Sequence, residues 1–232
     1  MTAVLVFALI APTAQPKSQP PKAPDPVGFG LVADSEFHWP FYITKSPDVQ
    51  KELKLSKEQL AAFDGAEADL KKSVADLGGL KPAQAKTYAA KVTKWADETV
   101  AAVLKTEQQK RHRQIVWQVL EFTGGTRTLA ANPVFAKEIG LTADQLKQAK
   151  KIDADYYVGW QKLVRANPLV GNGPVPGEDA LAKESEEAAL KLLTAEQKKK
   201  WNEALGEPFV GEVKQFTIPG LRPVTFKAPE KK

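Results

Sequence analysis

The 232-residue chain is 43% hydrophobic and 26% charged, with a formal net charge of +5; such a balance excludes disorder throughout and supports one large core or two small ones. Cysteine is absent, which excludes disulfides, thiolate metal sites and a cysteine nucleophile. Among 33 basic residues only Arg111, Arg113, Arg127, Arg165 and Arg222 are arginines, so nucleic acid, read mostly by guanidinium forks, is not an expected partner.

The chain opens on an apolar run from Ala3 to Ala11, followed by the small residues Thr13 and Ala14. The run is too short to span a bilayer and has the length of a signal-peptide core. Residues 1–14 are therefore expected to be a signal peptide, and the protein to be exported, to the periplasm, without a transmembrane span. No Lys or Arg precedes the run, as a start site assigned too far downstream would leave it. Residues 15–45 begin with five prolines between Pro16 and Pro26, an extended spacer. The aromatic stretch Phe37-His-Trp-Pro-Phe-Tyr42 is expected to pack on the helical core as a strap, with an exposed anchor for a partner as the alternative.

From Ser46 the chain repeats itself. Ser46 to Leu60 aligns without gaps on Asn132 to Leu146, at an offset of 86, with six of fifteen positions identical. Leu104-Lys-Thr-Glu-Gln108 then matches Leu193-Thr-Ala-Glu-Gln197 in the same order, at an offset of 89. Two ordered matches at nearly one spacing argue for duplication. The expected fold is all-α: two tandem three-helix units, residues 46–125 and 126–206, with extended N- and C-terminal segments.

In the first unit Leu60, Phe63, Ala66 or Glu67, Leu70, Val74 and Leu77 recur at helical spacing. Gly78-Gly79 is expected to end that helix and Pro82 to open the next, which carries Tyr88, Val92, Trp95, Thr99 and Val103. A third carries His112, Ile115, Val119 and Phe122 and is expected to stop at Gly124-Gly125. In the second unit Leu146, Ala149, Ile152 or Asp153, Tyr156, Trp160 and Leu163 form the stripe, and helices follow near Asp179–Leu192 and Ala195–Leu205. In the tail, residues 207–232, the segments Val213 to Ile218 and Val224 to Phe226 read as extended. They either pair as a hairpin or lie as a strap, and the strap is the expectation.

The repeated motif is Leu-[Ser/Thr]-x-x-Gln: Leu55-Ser56…Gln59, Leu141-Thr142…Gln145 and Leu193-Thr194…Gln197. The copy at Leu104…Gln108 has Lys105 where the hydroxyl belongs, and Thr106 to Gln109 offers the same spacing shifted by one. These are capping boxes, in which the hydroxyl accepts from the N3 amide and Gln reaches back to the N-cap amide. Leu55 with Leu60, and Leu141 with Leu146, add a hydrophobic staple. Helix capping accounts for the motif without any ligand.

Repeated Leu-Thr-x-x-Gln boxes on helical hairpins resemble the Spy-like periplasmic family of LTxxQ-motif proteins. The run Asp48 to Gln59, the Thr106-Glu-Gln-Gln-Lys-Arg111 region and Trp201…Gly206-Glu-Pro-Phe209 more specifically resemble an uncharacterised exported group with tandem copies of the unit. The resemblance spans roughly Gly28 to Phe209. Spy-like proteins are all-helical and commonly dimerise into a cradle that holds unfolding clients, while some members sense metal or envelope stress. The resemblance thus implies an ATP-independent chaperone or envelope-stress protein with protein clients or an envelope partner, and two units in tandem imply a pseudo-dimer within one chain. A structural or regulatory module with one defined partner is the alternative, and an enzyme of unknown type the third.

Other sites are weaker. His38 and His112 are the only histidines, and neither stands beside a second ligand at metal spacing. Gly28-Phe-Gly-Leu-Val-Ala33 follows a proline spacer rather than a strand, so it does not read as a dinucleotide fingerprint. Asp153 and Asp155 are two apart on a helix and face different ways. No catalytic residue, metal ligand or cofactor is expected. Lys110, Arg111 and Arg113, with Lys198, Lys199 and Lys200 near the matching place in the second unit, are either helix-surface charge or a paired positive surface for an acidic partner.

Overall fold

A computed structural model of the protein describes residues 39–74, 82–167, 175–213 and 224–227. Within these residues the chain is all-α apart from one short ribbon. The helices are α1 (Trp39–Ile43), α2 (Pro47–Glu52), α3 (Lys57–Val74), α4 (Pro82–Val103), α5 (Thr106–Ala131), α6 (Pro133–Ile139), α7 (Ala143–Ala166), α8 (Glu178–Lys191) and α9 (Ala195–Leu205). The strands are β1 (Gly211–Val213) and β2 (Val224–Phe226). The three main helices expected in each half are α3, α4 and α5, then α7, α8 and α9. Each set is preceded by a short helix, α2 or α6, that the periodicity does not reveal because six or seven residues make too few turns to show a stripe.

Local chemistry explains these short helices. Pro47 and Pro133 sit in the first turn, where a missing N–H costs nothing. The Asn132 side chain caps α6 by accepting from the amides of Val134 (2.9 Å) and Phe135 (3.1 Å). Both helices end in the same Schellman turn. Leu55 N donates to Gln50 O (3.1 Å) and Lys54 N to Lys51 O (3.1 Å), as Leu141 N does to Ala136 O (2.8 Å) and Gly140 N to Lys137 O (3.2 Å). The turn needs a left-handed residue: Gly140 (φ 75°) supplies it in one half, Lys54 (φ 50°) in the other.

Apart from Phe122, the predicted stripes are buried or half-buried where described. Phe63, Ala66 and Leu70 of α3, with Tyr88, Val92, Trp95 and Thr99 of α4, are inside. On α7 Ala149 and Tyr156 are buried, while Leu146, Ile152, Trp160 and Leu163 are half-buried. The expected stop at Gly78-Gly79 lies outside the described residues, as do the signal segment and the proline spacer. Pro82 opens α4 as expected.

The helix through Ile115 ends at Gly124-Gly125 as expected: Gly125 leaves helical geometry (φ 76°, ψ 171°), and a second short helical stretch, counted with the first as α5, runs on to Ala131. The Thr128 Oγ1 lies 2.7 Å from Gly124 O across the break. Two expectations are corrected. Phe122, placed on the buried stripe, is instead 61% exposed, with its ring against Phe226 (5.2 Å between centroids). In the tail, β1 and β2 pair antiparallel with Gly211 opposite Phe226, and β1 also lies on α2, where Asp48 accepts from Glu212 N (2.8 Å). The expected strap is thus a paired ribbon laid on α2, while the rest of the stretch Val213 to Ile218 lies outside the described residues.

α5 is the element on which the fold converges. It packs on α1, α6, α7, α8 and α9. Its Gln118 holds the chain leaving α9, donating to Leu205 O (2.6 Å) and Glu207 O (2.9 Å) and accepting from Phe209 N (2.7 Å). The buried apolar side chains, from Phe41 to Val213, form one connected cluster through both halves. α1 seals one end: Phe41 is fully buried, its ring 5.9 Å from Phe63 and 5.3 Å from Trp95. At the other end Trp117, Phe135 and Trp201 stack edge to face.

Because Lys54 is the non-glycine residue of this pair of left-handed turns, Lys54→Gly should stabilise the protein by roughly 0.5–1 kcal/mol, the left-handed strain relieved less the added entropy of the unfolded chain. Urea unfolding at constant m-value checks this. A destabilised variant would show that the Lys54 side chain contributes more than its backbone costs.

Candidate functional site

The four motif copies meet in pairs. Ser56, Thr142 and Thr194 accept at Oγ from the N3 amides of Gln59 (3.3 Å), Gln145 (3.2 Å) and Gln197 (3.2 Å). The glutamine Oε1 atoms accept in return from the amides of Ser56 (3.0 Å), Thr142 (2.9 Å) and Thr194 (3.0 Å). These are the capping boxes expected. Leu104 and Leu193 lie in the core, and Leu55 and Leu141 pack against it.

At the fourth copy the helix starts after Lys105, so Gln108 is N3 and its Oε1 accepts from Lys105 N (2.9 Å). Lysine has no acceptor, so this box is half made. The shifted reading on Thr106 is thereby corrected: Thr106 is the exposed first helical residue. Gln109 turns back instead, donating to Ala101 O (2.9 Å) and Leu104 O (2.8 Å).

What the motif alone does not show is that each glutamine also reaches a second box. Gln59 Nε2 donates to Gln108 Oε1 (2.8 Å) and to Val103 O (2.8 Å). Gln108 Nε2 answers to Gln59 Oε1 (3.3 Å) and Leu53 O (2.8 Å). In the second half Gln145 and Gln197 exchange Nε2 to Oε1 bonds of 2.9 Å in each direction. Gln145 Nε2 also reaches Leu192 O (2.7 Å), and Gln197 Nε2 reaches Gly140 O (2.9 Å). Each amide thus uses both N–H groups and both lone pairs. One clasp ties the start of α3 to the start of α5, and the other ties α7 to α9. A signal for this exists in the sequence: a capping box accepts Glu or Gln equally, yet every copy has Gln, the only one of the two that also donates.

The basic residues do not form one free surface. Arg111 is bound to Glu52 through Nε and Nη2 (2.7 Å each) and donates Nη1 to Glu207 O (2.6 Å), so it fastens α2 and the tail to α5. Lys200 pairs with Glu196 (3.0 Å) and Lys199 lies 3.9 Å from Glu203, both on α9 itself. Lys110, Arg113 and Lys198 are exposed and make no ion pair among the described residues.

Two buried groups on α5 complete the picture. Arg127, not singled out by its sequence context, is 6% exposed beside the Gly125 break, its guanidinium carbon 3.3 Å from the centre of the Tyr156 ring. Its Nε is 3.7 Å from Asp153 Oδ1 and makes no hydrogen bond. Asp153 Oδ1 lies 2.9 Å from the Thr128 hydroxyl and shares its single proton with Gly124 O, so α5 and α7 are joined at the break by charge, ring and hydroxyl together. His112 is 4% exposed and its Nε2 lies 2.8 Å from Pro40 O. Since a carbonyl only accepts, the imidazole carries its proton on Nε2. His112 occupies the place that Trp201 holds in the second half, at the offset of 89, and the Trp201 indole likewise donates, to Glu121 Oε1 (3.0 Å). Burial pushes the Glu121 carboxyl up against the lowering effect of that bond, with Glu186 adding to the rise. Among the described residues no group of three or more His, Asp or Glu is placed to hold a metal ion, and no helix is long and apolar enough to cross a membrane.

Two outcomes test the clasps. Gln145→Glu preserves the capping box and its charge suits the helix N-terminus, so a box alone predicts little change or a gain. The clasp predicts a loss of roughly 2–4 kcal/mol, because two N–H donors vanish and a carboxylate faces two oxygens; chemical denaturation separates the two. Lys105→Thr should complete the half-made box and raise stability by about 0.5–1 kcal/mol in the same assay.

Compared with known proteins, the chain matches no family model, no curated protein and no solved structure.

Proposed function

We propose that this protein is an exported, non-enzymatic helical binding protein of the Spy-like kind, acting without ATP to hold partly unfolded protein clients. On this reading the two clasped halves descend from one unit, and a single chain supplies both halves of the client-holding surface. The twin clasps support the reading because they use the resembling motif twice, in one geometry. The observation that carries it is the set of large apolar side chains left in solvent on successive helices: Val134 of α6 (62% exposed), Tyr157 and Val158 of α7 and Leu190 of α8. Exposed lysines such as Lys151, Lys162 and Lys191 stand on the same helices. Dispersed apolar groups on a rigid, charged frame suit weak contact with many clients better than tight binding of one small ligand.

The full chain should suppress aggregation of a chemically unfolded model protein near stoichiometric amounts, beyond an inert basic helical control. Replacing Val134, Val158 and Leu190 together by Ser should weaken suppression several-fold and leave the unfolding midpoint nearly unchanged, since exposed positions contribute little to stability. Light scattering checks both. No suppression by the parent chain would discard the chaperone reading in favour of an interaction module with one saturable partner.

A further inference from the structure

Among the described residues α1 is held by one buried imidazole, that of His112. α1 has five residues, too few to stand as an isolated helix, so its position depends on what it touches. It packs on α4 and α5. Its apolar anchor is Phe41, set among Phe63 and Trp95, and its polar anchor is the bond from His112 Nε2 to Pro40 O. Beyond α1 the chain is held separately: Thr44 donates its hydroxyl to Phe41 O (2.6 Å), Gln50 Nε2 reaches Thr44 O (3.0 Å), and Lys45 is bound to Asp64 and to Glu67 (2.9 Å).

We propose that His112 makes α1 an acid-released latch: protonating the imidazole unseats α1 from α4 and α5 and uncovers the apolar face beneath Phe41.

The neutral ring donates through Nε2 to Pro40 O. A second proton puts a charge and a new donor inside an apolar seat, where no acceptor is bonded to Nδ1 among the described residues. Of the titratable and charged groups on the adjoining segments, Tyr42 and Lys45 on and just beyond α1, Asp97 on α4, and Arg111 and Arg113 on α5 itself, only Arg113 acts on the ring. Lys45 is taken by Asp64 and Glu67, and Arg111 by Glu52. Asp97 lies in the field of Arg113, and burial raises its carboxyl above the ordinary range. None supplies His112 with a carboxylate partner. Burial therefore dominates, the Pro40 bond opposes it, and Arg113 adds repulsion, so that the His112 pKa falls from 6.5 to about 4.

The sign follows from linkage. With α1 closed the ring takes a proton only near pH 4, and with α1 open it does so near its ordinary value. Lowering pH from about 6.5 towards 4 therefore favours the open form progressively, while at pH 7 the ring is neutral and the latch closed. Glu67, although burial pushes its carboxyl up, is held below its ordinary value by hydrogen bonds from Lys71 and Lys45. The attachment at Lys45 thus persists while α1 lets go, and the strap opens about that point. The second half, with Trp201 at the equivalent place, has no imidazole there. The latch stands independently of the client-binding reading.

Hydrogen exchange on the full chain reads the latch through the amides of Thr44, Lys45 and Ser46, which donate to Phe41 O, Tyr42 O and Ile43 O. At pH 4.5 these amides should exchange at least tenfold faster in the parent chain than in His112→Gln, which keeps a donor but cannot take up a proton. Amides of α7 and α8 should be alike in the two proteins, and all should agree at pH 7. Should the variant fail to fold, the parent chain decides alone: the His112 ring, followed by NMR, should titrate well below 6.5 with the same midpoint as the loss of protection. Equal exchange in both proteins, loss of α7 and α8 protection together with α1, or an ordinary imidazole titration with α1 still protected would each overturn the proposal.

Discussion

Each half of the molecule hangs on a pair of glutamine side chains that meet amide to amide at the starts of two helices. A primary amide is self-complementary, so two of them exchange a pair of N–H···O bonds and still have one donor and one lone pair each for the backbone. Here the remaining donors go to the carbonyls of Val103, Leu53, Leu192 and Gly140, and the remaining lone pairs to the N-cap amides. Single bonds of this kind contribute about 1 kcal/mol net, but a half-satisfied buried amide costs more than it gains. The arrangement therefore holds as a unit, and it specifies which helix starts lie side by side.

With the helix starts tied, packing is decided by α5, which begins in the first clasp and passes into the second half. Gly125 breaks it, and Arg127, stacked on Tyr156 beside Asp153, fixes the stretch after the break to α7. A buried guanidinium with a bare Nε is costly by itself. The cost is bearable because ring, carboxylate and hydroxyl converge on the same few ångströms. Gln118 and Arg111 then fasten the returning tail, and β1 reaches back to α2 in the first half. Covalent order alone would leave the halves as neighbours, whereas these contacts make one core of them.

The halves are not copies in chemistry. One has serine, a lysine in place of a hydroxyl, a left-handed lysine and a buried histidine; the other has two threonines, a left-handed glycine and a tryptophan. Lysine cannot cap and strains the left-handed turn, and imidazole can take up a proton.

The all-α class, the main helices and the positions of three full capping boxes followed from sequence, because helical spacing, proline and hydroxyl–glutamine pairs act over a few residues. The pairing of the boxes did not, since Gln59 and Gln108 lie 49 apart and Gln145 and Gln197 lie 52 apart. Only their uniform choice of glutamine hinted at it. Short helices α1, α2 and α6 escaped because five to seven residues make too few turns to show a stripe. The burial of Arg127 against Tyr156 and the donation of His112 to Pro40 depend on partners 25 or more residues away, and no local pattern encodes a neighbour at that distance. What the chain writes locally is where each helix begins; which beginnings touch, and which charge is shut inside, is decided when the helices close on one another and every buried donor must find its acceptor.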